Sequence, residues 1–287
     1  NYYGDWIKEI MKSNLLHTIK ISLVFMSIAF SNVMGQTNEV GVFLGGSSFK
    51  GDIGVHRNEH IIHNMRPTFG FQFKRNFNYH FGISFNANKG ELYSADSYSR
   101  DVFELTRNLN FRSKITEISL FLEFNFRPYM SREPEHNISP FVFAGITKFF
   151  FNPQAQHDNG TWYDLRPIGT EGQGSDFYPN KNLYDLDGIA IPFGFGYKFN
   201  VYDILTLSLN ISWRITFTDY IDDVSTTYID VTRLDEIDAE LVDQSNKKFT
   251  PGFQRGNPYN NDKYGFLGIH ILYSIKDPKK ECNNIVY

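Results

Sequence analysis

The chain has 287 residues and a net charge of −4, so it has no overall basic attraction to nucleic acid or anionic lipid. Its 28 Phe, 17 Tyr and 3 Trp are the aromatic load expected where strands dominate and rings gather at membrane interfaces. A single cysteine, Cys282, excludes an internal disulfide, and no apolar run is long enough for a mature membrane helix.

The first element is a leader. Met11 opens a short basic segment with Lys12 and Lys20, residues 21–30 are apolar, and 31–36 offer small residues for cleavage. The pattern predicts a secretory signal peptide over 11–36, with 1–10 as upstream residues that never fold. No cysteine lies near the cleavage zone, which argues against lipoprotein processing. The mature chain is expected to begin near Gln36 or Thr37.

Strands follow in order. Residues 38–46 form a first strand, 67–77 a second and 79–92 a third. Residues 116–126 place Ile118, Leu120, Leu122 and Phe124 on one face. Residues 140–151 alternate less cleanly, 188–199 set Ile189, Ile191, Phe193, Phe195 and Tyr197 against smaller residues, and 263–275 form the eighth strand. The seventh, 203–216, is the clearest. Leu205, Leu207, Leu209, Ile211, Trp213 and Ile215 alternate with Thr206, Ser208, Asn210, Ser212, Arg214 and Thr216. A period of two defines one apolar and one polar face.

Eight strands of this length, joined by alternately long and short connections behind an export signal, predict an all-β, eight-stranded antiparallel transmembrane barrel of the outer membrane. The barrel would span 37–275 and leave a periplasmic tail at 276–287. The alternative for the strands alone is a soluble lipocalin-like barrel, apolar inside. Against it, the small and polar face suits a narrow, filled lumen. That face carries Lys74, Glu117, Glu123, Lys148, Lys198 and Arg214. Counting along the strands puts Glu117, Lys148 and Arg214 near the outer end and Glu123, Lys74 and Lys198 near the periplasmic end, as two ionic clusters.

Several stretches could carry chemistry. His56, His60 and His63 would share a helical face and could hold zinc. Asp219, Asp222, Asp223 and Asp230 could bind calcium, although their spacing is not that of an EF-hand. The Gly-rich stretch 169–174 lacks the lysine and helix of a phosphate loop and reads as a flexible turn. No catalytic arrangement and no cofactor are implied. Cys282, beside Lys279 and Lys280, could form an intermolecular disulfide.

Certain segments resemble the PorG-type outer-membrane barrels, the DUF6089 group. These are Gly-Gly-Ser-Ser-Phe-Lys-Gly-Asp-Ile-Gly at 45–54, Asn-Leu-Asn-Phe-Arg-Ser at 108–113 and Glu-Ile-Ser-Leu-Phe-Leu-Glu-Phe-Asn at 117–125. With them go Trp-Tyr-Asp-Leu-Arg-Pro-Ile-Gly-Thr-Glu-Gly-Gln-Gly at 162–174 and Phe-Thr-Asp-Tyr-Ile-Asp-Asp-Val-Ser-Thr-Thr-Tyr at 217–228. Gln-Arg-Gly-Asn at 254–257 and Asn-Asp-Lys-Tyr-Gly-Phe at 261–266 complete the set. The resemblance covers essentially the whole mature chain. It implies a non-enzymatic component of the type IX secretion system, linked in many members to gliding motility, that anchors a periplasmic ring of PorK- and PorN-like proteins. The expected ring-docking surfaces are the short turns, 127–139 and the tail. The long loops near Trp162 and Asp219 are expected to fold over the outer mouth, to cap the barrel or to touch another outer-membrane component, and Trp162, Asp164, Asp219, Asp222, Asp223 and Cys282 are the residues singled out for interaction. The other reading is a stand-alone OmpA-like structural or small-solute barrel.

Overall fold

The computed structural model describes residues 37–54, 64–202, 204–245 and 248–275. The expected leader, the histidines at 56, 60 and 63, and the tail with Cys282 lie outside the described residues. The strands are β1 (Thr37–Lys50), β2 (Arg66–Asn76), β3 (Phe81–Ala95), β4 (Asn110–Asn125), β5 (Ile138–Phe150), β6 (Pro153–Gln156), β7 (Trp162–Asp164), β8 (Asp187–Val201), β9 (Leu205–Thr216) and β10 (Lys263–Ile275). Every pairing is antiparallel. The sheet runs β3-β2-β1-β10-β9-β8-β5-β4, and a β3–β4 pairing closes it into an eight-stranded barrel. The short β6–β7 hairpin extends the far end of β4.

Alternation along each strand decides which solvent each face meets. On β9, Thr206, Ser208, Asn210, Ser212, Arg214 and Thr216 are all buried, while Leu209, Trp213 and Ile215 are exposed. Phe69 on β2 is 60% exposed and Phe195 on β8 56%, whereas the inward Lys74 is 2% exposed. Soluble barrels have the reverse arrangement. An apolar exterior around a polar, filled interior is stable only with hydrocarbon outside.

The lumen is too narrow to hold large side chains at every position, so large and small residues are matched. A Cβ added at Gly194 would lie 2.6 Å from the Phe143 ring, and one at Gly196 would lie 2.7 Å from the Phe141 ring. Glycines on β8 therefore make room for phenylalanines on β5. Pro192 lies in β8 without an N–H to donate, and the β5–β8 ladder skips Gly145 and Ile146 opposite that stretch.

Two expectations are corrected here. The fourth strand starts at Asn110, not near 116, because Phe111, Ser113 and Ile115 continue the inward face. Its outward residues there are charged, Lys114 opposite Glu91 and Arg112 opposite Tyr93, because this hairpin rises past the apolar band. Lys148 does not join the lumen. It lies on the outer face of β5 in an ion pair with Asp187, 45% exposed. Phe141, Phe143 and Phe149 take the inward positions of β5. With apolar residues on both faces, β5 offered no phase from which to place the lysine.

Candidate functional site

Six inward charges gather in two layers of the lumen. Near the short-turn end, Lys74 Nζ donates to Glu123 Oε1 at 2.6 Å, and Lys198 donates to the same oxygen. Glu39 lies 3.9 Å from Lys74 and accepts from Thr206 Oγ1 at 2.8 Å and Asn76 Nδ2 at 3.3 Å. Nearer the long-loop end, Arg214 engages both oxygens of Glu117, at 2.7 and 3.0 Å. Glu117 also accepts from Tyr264 Oη at 2.9 Å and Asn88 Nδ2 at 3.0 Å. Each layer is neutral, two acids with two lysines and one acid with one arginine, so desolvation is offset by pairing. Glu39 and Tyr264 escaped the sequence reading, although each keeps the inward parity of its strand. Between the layers, a cavity of about 20 Å³ lies among Gln72, Ser84, Asn210 and His270, room for about one water.

Both ends of the lumen are stoppered. At the short-turn end the β4–β5 connection turns back into the barrel, with Tyr129, Met130 and Ser131 fully buried. Tyr129 Oη and Thr206 Oγ1 are 2.6 Å apart, and the Lys198 ammonium sits 4.5 Å from the Tyr129 ring centroid. Ser131 bonds Thr37 and Ser274 at 3.0 Å each, tying the stopper to β1 and β10. The expected docking surface at 127–139 is thus partly consumed. Arg127, Pro128, Pro134 and Glu135 remain exposed.

At the other end the four long loops form a packed cap. Ile53, Leu109, Phe151, Ile221 and Val224 continue the apolar core of the upper lumen. Two arginines join the loops. Arg107, from the short helix Val102–Arg107, donates to Asp96 at 2.7 and 2.8 Å and to the carbonyls of Asp52 and Arg255 at 2.6 Å each. Arg255 donates to the Asp223 carbonyl at 2.6 Å and to Glu171 at 3.3 Å. Glu171 in turn accepts from the Ser225 and Thr226 amides and the Thr226 hydroxyl. The stretch 169–174 is therefore no flexible turn. Gly169, Gly172 and Gly174 adopt φ of 63°, 91° and 71°, which glycine adopts without steric cost, and they bury Glu171 completely. Gly256 has no space for a side chain, because an added Cβ would lie 2.7 Å from the Ser225 amide.

The cap also relocates the loop residues expected to meet partners. Asp222 and Asp223 are fully buried and Asp219 is 7% exposed, so they are internal supports, not contact groups. Asp222 accepts from the Asp52 and Ile53 amides at 3.1 Å each and from Val224 at 3.0 Å. Asp223 accepts from Tyr184 Oη at 2.5 Å and from the Thr170 hydroxyl. Burial pushes the Asp219 carboxyl up to about 7 and that of Asp223 to about 6, the latter opposed by Arg255. Burial and then the neighbouring carboxylates hold Asp222 and Asp262 well above the usual carboxylate range. Asp230 faces solvent beside Arg233, so it does not converge with the other three, and among the described residues no group of acidic, histidine or cysteine side chains is placed to hold a metal. Trp162 and Asp164 sit on the β6–β7 hairpin. The Arg112 guanidinium lies 4.2 Å from the Trp162 ring centroid. Asp164 accepts from Gln154 at 2.6 Å and Asn152 at 2.9 Å, and it stays exposed.

Fold and lumen together define a lipid-facing, eight-stranded β-barrel with its interior filled. Residues 18–167 match the family described as Domain of unknown function (DUF6089), just over half of the chain, and the chain belongs to that family. The match ends within the third long loop, short of the whole-chain extent that the resemblance suggested. No curated protein matches. Among solved structures the chain is similar to Ail, the attachment invasion locus protein of Yersinia pestis, at 9% identity and TM-score 0.40, covering 84% of this chain and 100% of Ail. It is also similar to OprG of Pseudomonas aeruginosa, at 10% identity and TM-score 0.37, with 85% and 97% covered. Neisserial surface protein A is similar at 8% identity and TM-score 0.36, with 84% and 98% covered.

Proposed function

We propose that this chain is a non-enzymatic barrel of a Gram-negative outer membrane that anchors the periplasmic ring of a type IX secretion machine. The observation that carries a scaffold reading is the double stopper. Tyr129 to Ser131 close one end of the lumen and the arginine-tied cap closes the other, so the working surfaces are the two end faces and the lipid-facing wall. The secretion assignment itself rests on the resemblance to PorG-type barrels. Many of its motif residues, including Asp52, Glu171, Asp222, Asp223 and Arg255, build the cap. Ring contact would fall on the exposed short-turn rim, Arg127, Pro134, Glu135 and Tyr202, and on the tail, where Cys282 would provide an intermolecular disulfide. The described cap loops are tied to one another through Arg107 and Arg255, which supports a stand-alone structural barrel as the second reading.

The deciding experiment is a pull-down of the tagged protein from gently solubilised outer membranes, run on reducing and non-reducing gels. Co-purification of a periplasmic lipoprotein ring component supports the anchor, and a thiol-sensitive shift assigns Cys282 as a tether. Recovery of the protein alone at its monomer mass under both conditions supports the stand-alone barrel.

A further inference from the structure

The net charge conceals an uneven distribution on the barrel wall. Lys50, Lys89, Lys114, Lys148 and Lys263 are all exposed on the outer face of the sheet, toward the long-loop ends of β1, β3, β4, β5 and β10. On each of these strands every outward residue from the lysine toward the short-turn end is uncharged, such as Ala87, Phe85 and Ile83 below Lys89 or Leu267, Ile269 and Ile271 below Lys263. The lysines therefore follow the upper margin of the apolar band. Lys148 is paired with Asp187. Lys50, Lys89, Lys114 and Lys263 form no ion pair among the described residues. Glu91, the register partner of Lys114, faces outward beside it.

The register sharpens the point. Lys50 and Lys263 are direct cross-strand partners. Like charges placed opposite each other destabilise a sheet unless an anion lies between them. At this height the available anions are lipid headgroups, and a lysine near a charged membrane surface gains about fivefold in association, about 1 kcal/mol. Ammonium groups on flexible stems suit phosphate as point charges, and their stems can lie along the apolar wall with the charge raised to headgroup level.

We propose that this lysine arc holds the phosphate groups of a phosphorylated glycolipid in the outer leaflet, with the Lys50–Lys263 pair as its centre. The inference rests on the long-loop end facing the cell exterior and is independent of the secretion role, which the ring pull-down tests separately. The full barrel would be refolded into phosphatidylcholine vesicles containing bis-phosphorylated lipid A, the same lipid stripped of its phosphates, or phosphatidylglycerol. Lipid retained after detergent extraction would be read by native mass spectrometry. Phosphorylated lipid A should be retained at least tenfold over its stripped form and over phosphatidylglycerol. Lys50→Gln with Lys263→Gln should remove most of that preference, whereas Arg75→Gln at the opposite margin should not. Equal retention of stripped lipid A or of phosphatidylglycerol overturns the proposal, and so does unchanged retention in the double variant. Heat-modified gel mobility verifies that each variant is folded, and the wild-type lipid comparison is decisive without any variant.

Discussion

Glu117 and Lys148 show how differently two charges read from one pattern can behave. Glu117 binds Arg214, Tyr264 and Asn88 inside the lumen, so Glu117→Gln strands a buried guanidinium. Removing one partner of such a pair costs about 3–5 kcal/mol. The variant should unfold at clearly lower temperature, read as the shift between folded and unfolded gel mobility. Lys148→Gln removes an exposed pair worth at most about 1 kcal/mol and should leave that transition nearly in place. Parity along a strand locates Lys74, Glu117, Glu123, Lys198 and Arg214 inside without any tertiary information. It would have added Glu39 by the same count. It fails for Lys148 because β5 is apolar on both faces.

The loops act as one element, the cap, and its carboxyls give it a pH dependence of definite sign. Burial pushes Asp219 up to about 7 and Asp223 to about 6 in the folded cap, against 3.8 ordinarily, and it raises Asp222 and Asp262 as well. The folded cap thus holds protons that the unfolded loops release above about pH 4. Linkage makes cap stability greatest below that pH, and it falls as pH rises toward 7. Hydrogen exchange of the loop amides should be slower at pH 5 than at pH 8, after correction for intrinsic rates. Asp219→Asn should narrow that difference. Gly256→Ala should open the cap at any pH, because its Cβ would collide with the backbone near Ser225 and with Asp52. The acidic stretch at 217–230 reads from its sequence as backbone-bonding, with calcium and partner contact as alternatives, and the fold uses Asp222 to satisfy amides of its own loop and of the first loop.

For the whole molecule, closure at both ends predicts that the barrel in a planar bilayer passes no steady current. Tyr129→Ala removes a side chain that fills the lower mouth. Loss of a buried aromatic costs about 3–5 kcal/mol, so the variant should also melt earlier. A stable single-channel step in the wild-type protein would contradict the sealed interior.

The sequence by itself determined the eight spanning strands, the inward and outward faces of most of them, and the order of short and long connections. Period-two alternation is a local property, and a lipid-exposed strand must obey it along its length. Only the tertiary structure decided which residues of the connections close the barrel. The bonds that make the cap join residues far apart in the chain, Arg107 to the carbonyl of Arg255 and Asp222 to the amides of Asp52 and Ile53. No spacing rule records such contacts. The same holds for the stopper, where Tyr129 in a proline-flanked turn gives no local sign that it lies inside the barrel. A loop residue's environment is set by whatever the closed sheet brings over it, and that is known only once the sheet has closed.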